Sequence, residues 1–135
     1  MKKNKGFTLV ELMVVITIIL VMLGILIPKL YGYQLKAKQT KAINTAKQIQ
    51  TAAMASYSEN NQVFSPGDVL TTIGSLTGVD ITTSPSTTTV TGITDQNVNV
   101  TFKSDNISYV VGIDAASSNF TVKNYTSNIT IFPKP

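Results

Sequence analysis

Apolar and polar positions fall into three textures along the chain. From Phe7 to Ile27 the residues are apolar almost without interruption; Thr8, Glu11, Thr17 and Gly24 are the exceptions. Coiled as a helix, this run rises about 31 Å, which matches a bilayer hydrocarbon core of about 30 Å. Pro28 closes it. In the second texture, Leu30 to Tyr57, apolar and small residues recur at steps of three and four: Ala42, Ala46, Ile49, Ala53 and Tyr57, widened by Ile43 and Met54. That spacing places them on one helix face. With no Gly or Pro after Gly32, the two textures predict one N-terminal helix of about 50 residues, half hydrophobic, ending at Ser58-Glu59-Asn60-Asn61.

The third texture has period two. Val98-Asn99-Val100-Thr101-Phe102 alternates as a half-buried strand does. Ile107 to Ile113 is more continuously apolar and so central, and Phe120 to Val122 and Ile129 to Phe132 follow. Short turns at Ser104–Asn106 and Asp114–Ser118 imply an antiparallel meander. Its apolar face needs a cover, which the stripe on the long helix supplies. The expected fold is therefore α+β: a long N-terminal helix packed on a small antiparallel sheet of three to four strands. Between these parts, Ser65-Pro66-Gly67-Asp68 reads as a helix start with Asp68 as cap, running to about Leu76 and stopped by Gly78. Ser84 to Thr94 reads as loop with one edge strand at most.

Composition narrows the chemistry. The 135 residues hold no Cys, so disulfides and thiolate metal sites are excluded, and no His, the usual general base and commonest metal ligand. The remaining Asp, Glu, Lys, Ser and Tyr form no paired constellation, so no enzyme and no cofactor are expected. Asp80, Asp95, Asp105 and Asp114 are too dispersed for a calcium loop, so no metal is expected. Every cation is Lys; without the three in the first five residues, eight lysines face seven acids. Arg and aromatics interleaved on a basic face are missing, so nucleic acid is not an expected partner. Lys36, Lys38, Lys41 and Lys47 lie mainly off the apolar stripe, as a solvated face does; acidic side chains of a neighbour or anionic headgroups are the alternatives. Five N-x-[ST] matches are what an Asn- and Thr-rich chain produces by chance, and glycosylation is not expected.

Two features of the apolar run ask for explanation. Glu11 puts a carboxylate inside a membrane-length helix, where such a group needs a partner. An acid so near the helix end could also reach the headgroups. At the other end, Pro28 clashes with the carbonyl four residues back, that of Gly24, itself a weak helix former. Gly24 to Pro28 is therefore a segment expected to kink or open. A secretory signal would be shorter and end in a small-x-small site; here the run ends Gly-Ile-Leu-Ile-Pro-Lys. A plain membrane anchor explains the length but not Glu11.

The order Lys5-Gly6-Phe7-Thr8-Leu9-Val10-Glu11 closely resembles the processing site of type IV pilins and pseudopilins. The resemblance covers roughly the first 28 residues. It implies cleavage after Gly6 by a membrane peptidase that also methylates the new amine of Phe7. It also implies a division into a leader (1–6), a transmembrane and filament-core half-helix (7–28) and a headpiece (29–135). Cleavage would place an ammonium group four positions before Glu11, on the same helix face, within one subunit or, as the family implies, from a neighbour in the filament. The Gly24–Pro28 segment would lose helical structure on assembly. The implied protein is a single-pass membrane precursor that becomes an extracellular pilus, a helical homopolymer. Its implied partners are itself, the prepilin peptidase and methylase, an assembly ATPase and an inner-membrane platform. Adhesion and twitching motility would belong to the filament. A pseudopilin of type II secretion shares this N-terminus, and a monomeric membrane-anchored binding module is a rival of another class. The lysines beyond the span outnumber those before it, so the charge rule does not itself place the N-terminus inside. Many pilins staple the C-terminal region with a disulfide; this chain cannot.

Overall fold

A computed structural model describes residues 6–79 and 88–133. Its elements run α1 (Leu9–Glu59), α2 (Pro66–Thr77), β1 (Thr89–Thr91), β2 (Asn97–Ser104), β3 (Ile107–Asp114), β4 (Asn119–Asn124) and β5 (Thr130–Phe132). The chain divides into two compact units between Ala37 and Lys38, a boundary that lies inside α1.

In the first unit every residue from Gly6 to Ala37 is exposed. The apolar side chains of this half of α1 therefore have no partner within the unit. The helix assignment runs unbroken through Gly24 and Pro28, so the weak segment is helical in the single subunit. It is long and apolar enough to cross a membrane.

The second unit has a conventional core. The strands form one antiparallel meander in the order β1-β2-β3-β4-β5. The α+β layout is as expected, with five strands among the described residues rather than three or four. The addition is β1, three residues of the Ser84–Thr94 stretch that pair Val90 with Val100 on the neighbouring strand. Short, polar and paired on one side, β1 carries too weak a pattern to separate from loop. The strands with alternating texture are longer than their apolar residues suggested, because Asn97 and Ser104 pair with Asp114 and Ile107 at the ends of the β2–β3 ladder. Asp105 and Asn106 both take positive φ (48° and 66°) in the two-residue turn between them, the conformation that matches strand twist in a tight hairpin.

Alternation sorts the sheet into two faces. Val98, Val100 and Phe102 of β2, Tyr109, Val111 and Ile113 of β3 and Val122 of β4 are buried. Against them lies the stripe of α1: Ala42, Ala46, Ile49 and Ala53 as expected, joined by Ala52 and Ser56, with Tyr57 and Met54 packed at its margin. The helix contributes mostly methyl groups and the sheet the bulk, a large-against-small match that fills the interior. Phe102 and Tyr109, cross-strand partners, stack with centroids 5.8 Å apart. Val69 and Ile73 of α2 complete the core.

One expectation is corrected. Asp68 is not the cap of α2: Ser65, in extended conformation, precedes the helix, and Pro66 occupies its first turn. Proline's fixed φ suits that position and its missing N–H leaves one fewer donor to satisfy. The Asp68 carboxylate instead accepts a hydrogen bond from Asn60 Nδ2 at 3.0 Å, tying α2 to the end of α1. Gly78 ends the helix as expected, in the left-handed region at φ 65°.

Candidate functional site at the start of the long helix

The first turn of α1 places Glu11 in a closed local arrangement. Its Oε2 accepts hydrogen bonds from the backbone N–H of Thr8 at 2.9 Å and from Thr8 Oγ1 at 2.8 Å. Thr8 Oγ1 in turn accepts from the Glu11 N–H at 3.3 Å. This is a reciprocal capping box: the residue before the helix and the third residue within it satisfy each other's free donors. Thr8 is the member of this arrangement that the sequence reading missed. Its signal was present, since Thr-x-x-Glu directly before an apolar run marks such a helix start.

The consequence for Glu11 is chemical. A carboxylate in an apolar helix does not stand unpaired while its own N-terminal turn supplies two donors. The group is also held at the positive end of the helix dipole, where negative charge is favoured. Phe7 precedes the cap and is 85% exposed, so the Gly6–Phe7 bond lies just outside the helix, in chain with no regular structure. Gly6, Phe7, Thr8 and Glu11 thus converge on one helix end. Gly24 and Pro28 lie further along α1, apart from it.

Other predicted positions serve structure. Lys41, placed on the solvated face, makes an ion pair with Asp105 at 2.8 Å between α1 and the β2–β3 turn. Asp114 caps the β3–β4 turn: its Oδ2 accepts from Ser117 Oγ at 2.8 Å and its Oδ1 from the Ala116 N–H at 2.9 Å. These bonds, the Ser117 hydroxyl foremost, hold its carboxyl below the ordinary value. Among the described residues, no three acidic side chains gather where they could share a cation. Asp80, another candidate oxygen ligand, lies outside the described residues, as do residues 84–87 of the loop.

Residues 1–27 match the family described as the prokaryotic N-terminal methylation motif. Curated relatives include a fimbrial protein of Pseudomonas aeruginosa, 37% identical over 65 residues, covering 48% of this chain and 42% of the relative. The type IV major pilin protein PilA of Myxococcus xanthus is 38% identical over 60 residues, 44% of this chain and 27% of the relative. The type II secretion system core protein G of Vibrio cholerae is 35% identical over 68 residues, 50% of this chain and 46% of the relative. The chain spans less than half the length of each of these relatives. No solved structure matches it significantly. The resemblance read from Lys5 to Glu11 therefore holds: residues 1–27 carry the methylation motif, and over about half of its length the chain is similar to type IV pilins and to a type II secretion core protein.

Proposed function

We propose that this chain is the structural subunit of a type IV pilus. It is made as a membrane-inserted precursor, cut between Gly6 and Phe7, methylated on the Phe7 amine and stacked into a helical homopolymer. Residues 1–6 are the leader, 7–28 the membrane and filament-core half of the helix, and 29–135 the headpiece with the rest of the helix. The observation that carries this reading is an apolar helix exposed on every side: Leu12 to Ile27 is helical and wholly exposed. Such a surface is stable only in lipid or against copies of itself, and a pilin uses both in turn.

The capping box gives processing a physical role. Cutting after Gly6 leaves the Thr8 N–H and hydroxyl untouched, so the cap that holds Glu11 survives processing. Methylation keeps that amine cationic. Glu11 then has two competing partners: its own cap, and an ammonium group from its own or a neighbouring N-terminus. A buried carboxylate that loses every partner is strongly destabilising, by about 3–5 kcal/mol, so a pairing of this kind selects one register between helices. Gly24 and Pro28, helical in the single subunit, are the positions where the helix yields on assembly. The partners implied are the peptidase and methylase, the assembly ATPase and its inner-membrane platform.

The test is to shear the surface of cells that make the protein and sequence its N-terminus by mass spectrometry. Filaments whose subunits begin with methylated Phe7 are expected; an intact Met1 confined to membranes overturns the reading. The similarity to a type II secretion core protein favours one second reading, a pseudopilin. It predicts the same Phe7 terminus but no sheared surface filaments.

A further inference from the structure

The solvent-facing side of the sheet breaks the rules that its buried side keeps. Strand centres favour β-branched and aromatic residues, and Asn and Gly are among the poorest choices there. Yet Asn99 on β2 and Gly112 on β3 stand side by side at the middle of the sheet, in one cross-strand row with Thr121 on β4. A row of this kind forfeits packing without a compensating structural gain, the pattern expected of a functional surface.

Geometry shows what Gly112 is for. A Cβ placed on it would sit 3.0 Å from Asn99 Oδ1 and 3.1 Å from Thr121 Oγ1. Both polar atoms lean over the bare backbone from either side. Beside Thr91, the β1 partner of Asn99, lies Gly92, where a Cβ would meet Asn99 Nδ2 at 2.6 Å. The Asn99 amide is thus flanked by glycine on both sides, and among the described residues neither it nor the Thr121 hydroxyl has a side-chain hydrogen-bond partner. The result is a hollow of about 310 Å³ floored by Gly112 and edged by Asn99, Thr121, Lys123, Tyr125 and Asn128. That size suits a small ligand, but the polar lining does not suit an apolar one.

Its edges are fixed and charged asymmetrically. Tyr125, 65% exposed, is pinned by its N–H donating to the Ser108 carbonyl at 2.9 Å. The loop that carries it is closed by Asn124 Oδ1, which accepts from the N–H groups of Thr126 (3.0 Å) and Ser127 (3.1 Å). Lys123 stands on the next outward row beyond Gly112, roughly 7 Å along the strand, with no acidic partner among the described residues. Asp114 lies on the row at the opposite side and is engaged by its own turn.

We propose that this hollow binds an acidic saccharide, such as a uronic or sialic acid. The Asn99 amide and Thr121 hydroxyl donate to and accept from ring hydroxyls over the Gly112 floor. The exposed Tyr125 ring stacks on the sugar's C–H face, and Lys123 takes its carboxylate. Asp114, at the far side, repels the reversed orientation. The site lies wholly within the second unit and does not depend on the pilin reading.

The test is an NMR titration of the full chain, labelled with ¹⁵N, in dodecylphosphocholine micelles, whose headgroup carries no sugar. The probes are sodium glucuronate, galacturonate and N-acetylneuraminate, with glucose and sodium acetate as controls. At least one acid sugar is expected to give saturating shifts at the Gly112, Thr121 and Tyr125 amides and none at Ala46 or Ile49. K123Q weakens that binding about tenfold, the loss expected of one charge-assisted hydrogen bond, and N99A weakens it comparably while the rest of the spectrum is unchanged. Absence of saturating shifts with all three acid sugars overturns the proposal. So does glucose binding as tightly as the acids, which removes the role of Lys123, or acetate producing the same shifts, which reduces the hollow to an anion contact.

Discussion

The two halves of α1 obey opposite rules. From Leu9 to Ala37 no residue is buried; from Lys38 to Glu59, Ala42, Ala46, Ile49, Ala52, Ala53 and Ser56 all are. Hydrophobicity alone points the other way, because the exposed half is the more apolar. Burial is decided by what a helix faces, and the second half faces a sheet. From Leu12 to Ile27 in the first half, apolar residues lie all round the helix, the signature of a segment whose partner is lipid or other helices. In the second, a narrow stripe of small residues suffices because β2 and β3 supply the large ones.

This difference is broken most decisively by truncating one large side chain in each half. Ile49→Ala removes a fully buried side chain and should lower the second unit's unfolding free energy by about 2–5 kcal/mol. Leu20→Ala, at a position 66% exposed, should leave it unchanged. Near-UV circular dichroism during urea unfolding of the full chain in micelles reads both. Equal losses would show that the two halves are stabilised alike.

The opposite change tests the small-residue stripe. Ala46→Leu inserts bulk where the side chain has no solvent access, and overpacking of this kind should destabilise by about 1–3 kcal/mol. The same measurement on Ala37→Leu should show none. If Ala46→Leu is tolerated, the helix-to-sheet spacing is not set by the alanines.

Period and composition made most of this legible. Alternation in Val98–Phe102 predicts which residues of β2 face inward, and steps of three and four pick out Ala42, Ala46, Ile49 and Ala53. Ala52 and Ser56 escape that reading because the core, which also holds Phe64, Val69 and Ile73, covers more of the helix than one line of residues. The edge strand β1 is fixed by pairing with β2 rather than by its own Thr-Val-Thr, and α2 begins at Pro66 because backbone geometry outweighs the acid at Asp68. At the start of the long helix, Gly6, Phe7 and Glu11 are visible as a motif. Thr8 is visible only when the helix start is read as hydrogen-bond bookkeeping, which asks where the Glu11 carboxylate and the free N–H groups find partners. The Asn99–Gly112–Thr121 row is invisible without register, since its members are distant in the chain.

At the first half's own end, Thr8→Ala removes the hydroxyl half of the capping box and should weaken the start of the helix by about 1 kcal/mol, within the range of such caps. Amide exchange at Leu12, whose N–H donates to the Thr8 carbonyl at 3.2 Å, should rise several-fold, whereas exchange at Ile49 should not. Thr8→Ser, which keeps the hydroxyl, should restore the slow exchange. A Thr8→Ala chain with unaltered exchange at Leu12 would show that the box does not hold this turn.

The smallest effect separates the halves by pH. The Asp114 carboxyl is held below its ordinary value, first by the Ser117 hydroxyl and then by the backbone N–H groups of Ala116 and Ser117. A group depressed in the folded state stabilises it fully above the unfolded value, about 3.9, and that contribution is lost as pH falls through the lower folded value. Asp114→Asn removes it. The melting temperature of the original chain should therefore exceed that of the variant by a constant margin above about pH 5, and the margin should shrink toward pH 2. Because the β3–β4 turn supports the sheet under Ala46 and Ile49, their amide protection should follow that margin once intrinsic exchange is corrected. Val15, in the exposed half of the helix, should not follow it. A margin that persists to pH 2 would remove Asp114 from the account, and a response at Val15 equal to that at Ile49 would mean that the two halves of the helix share one stability.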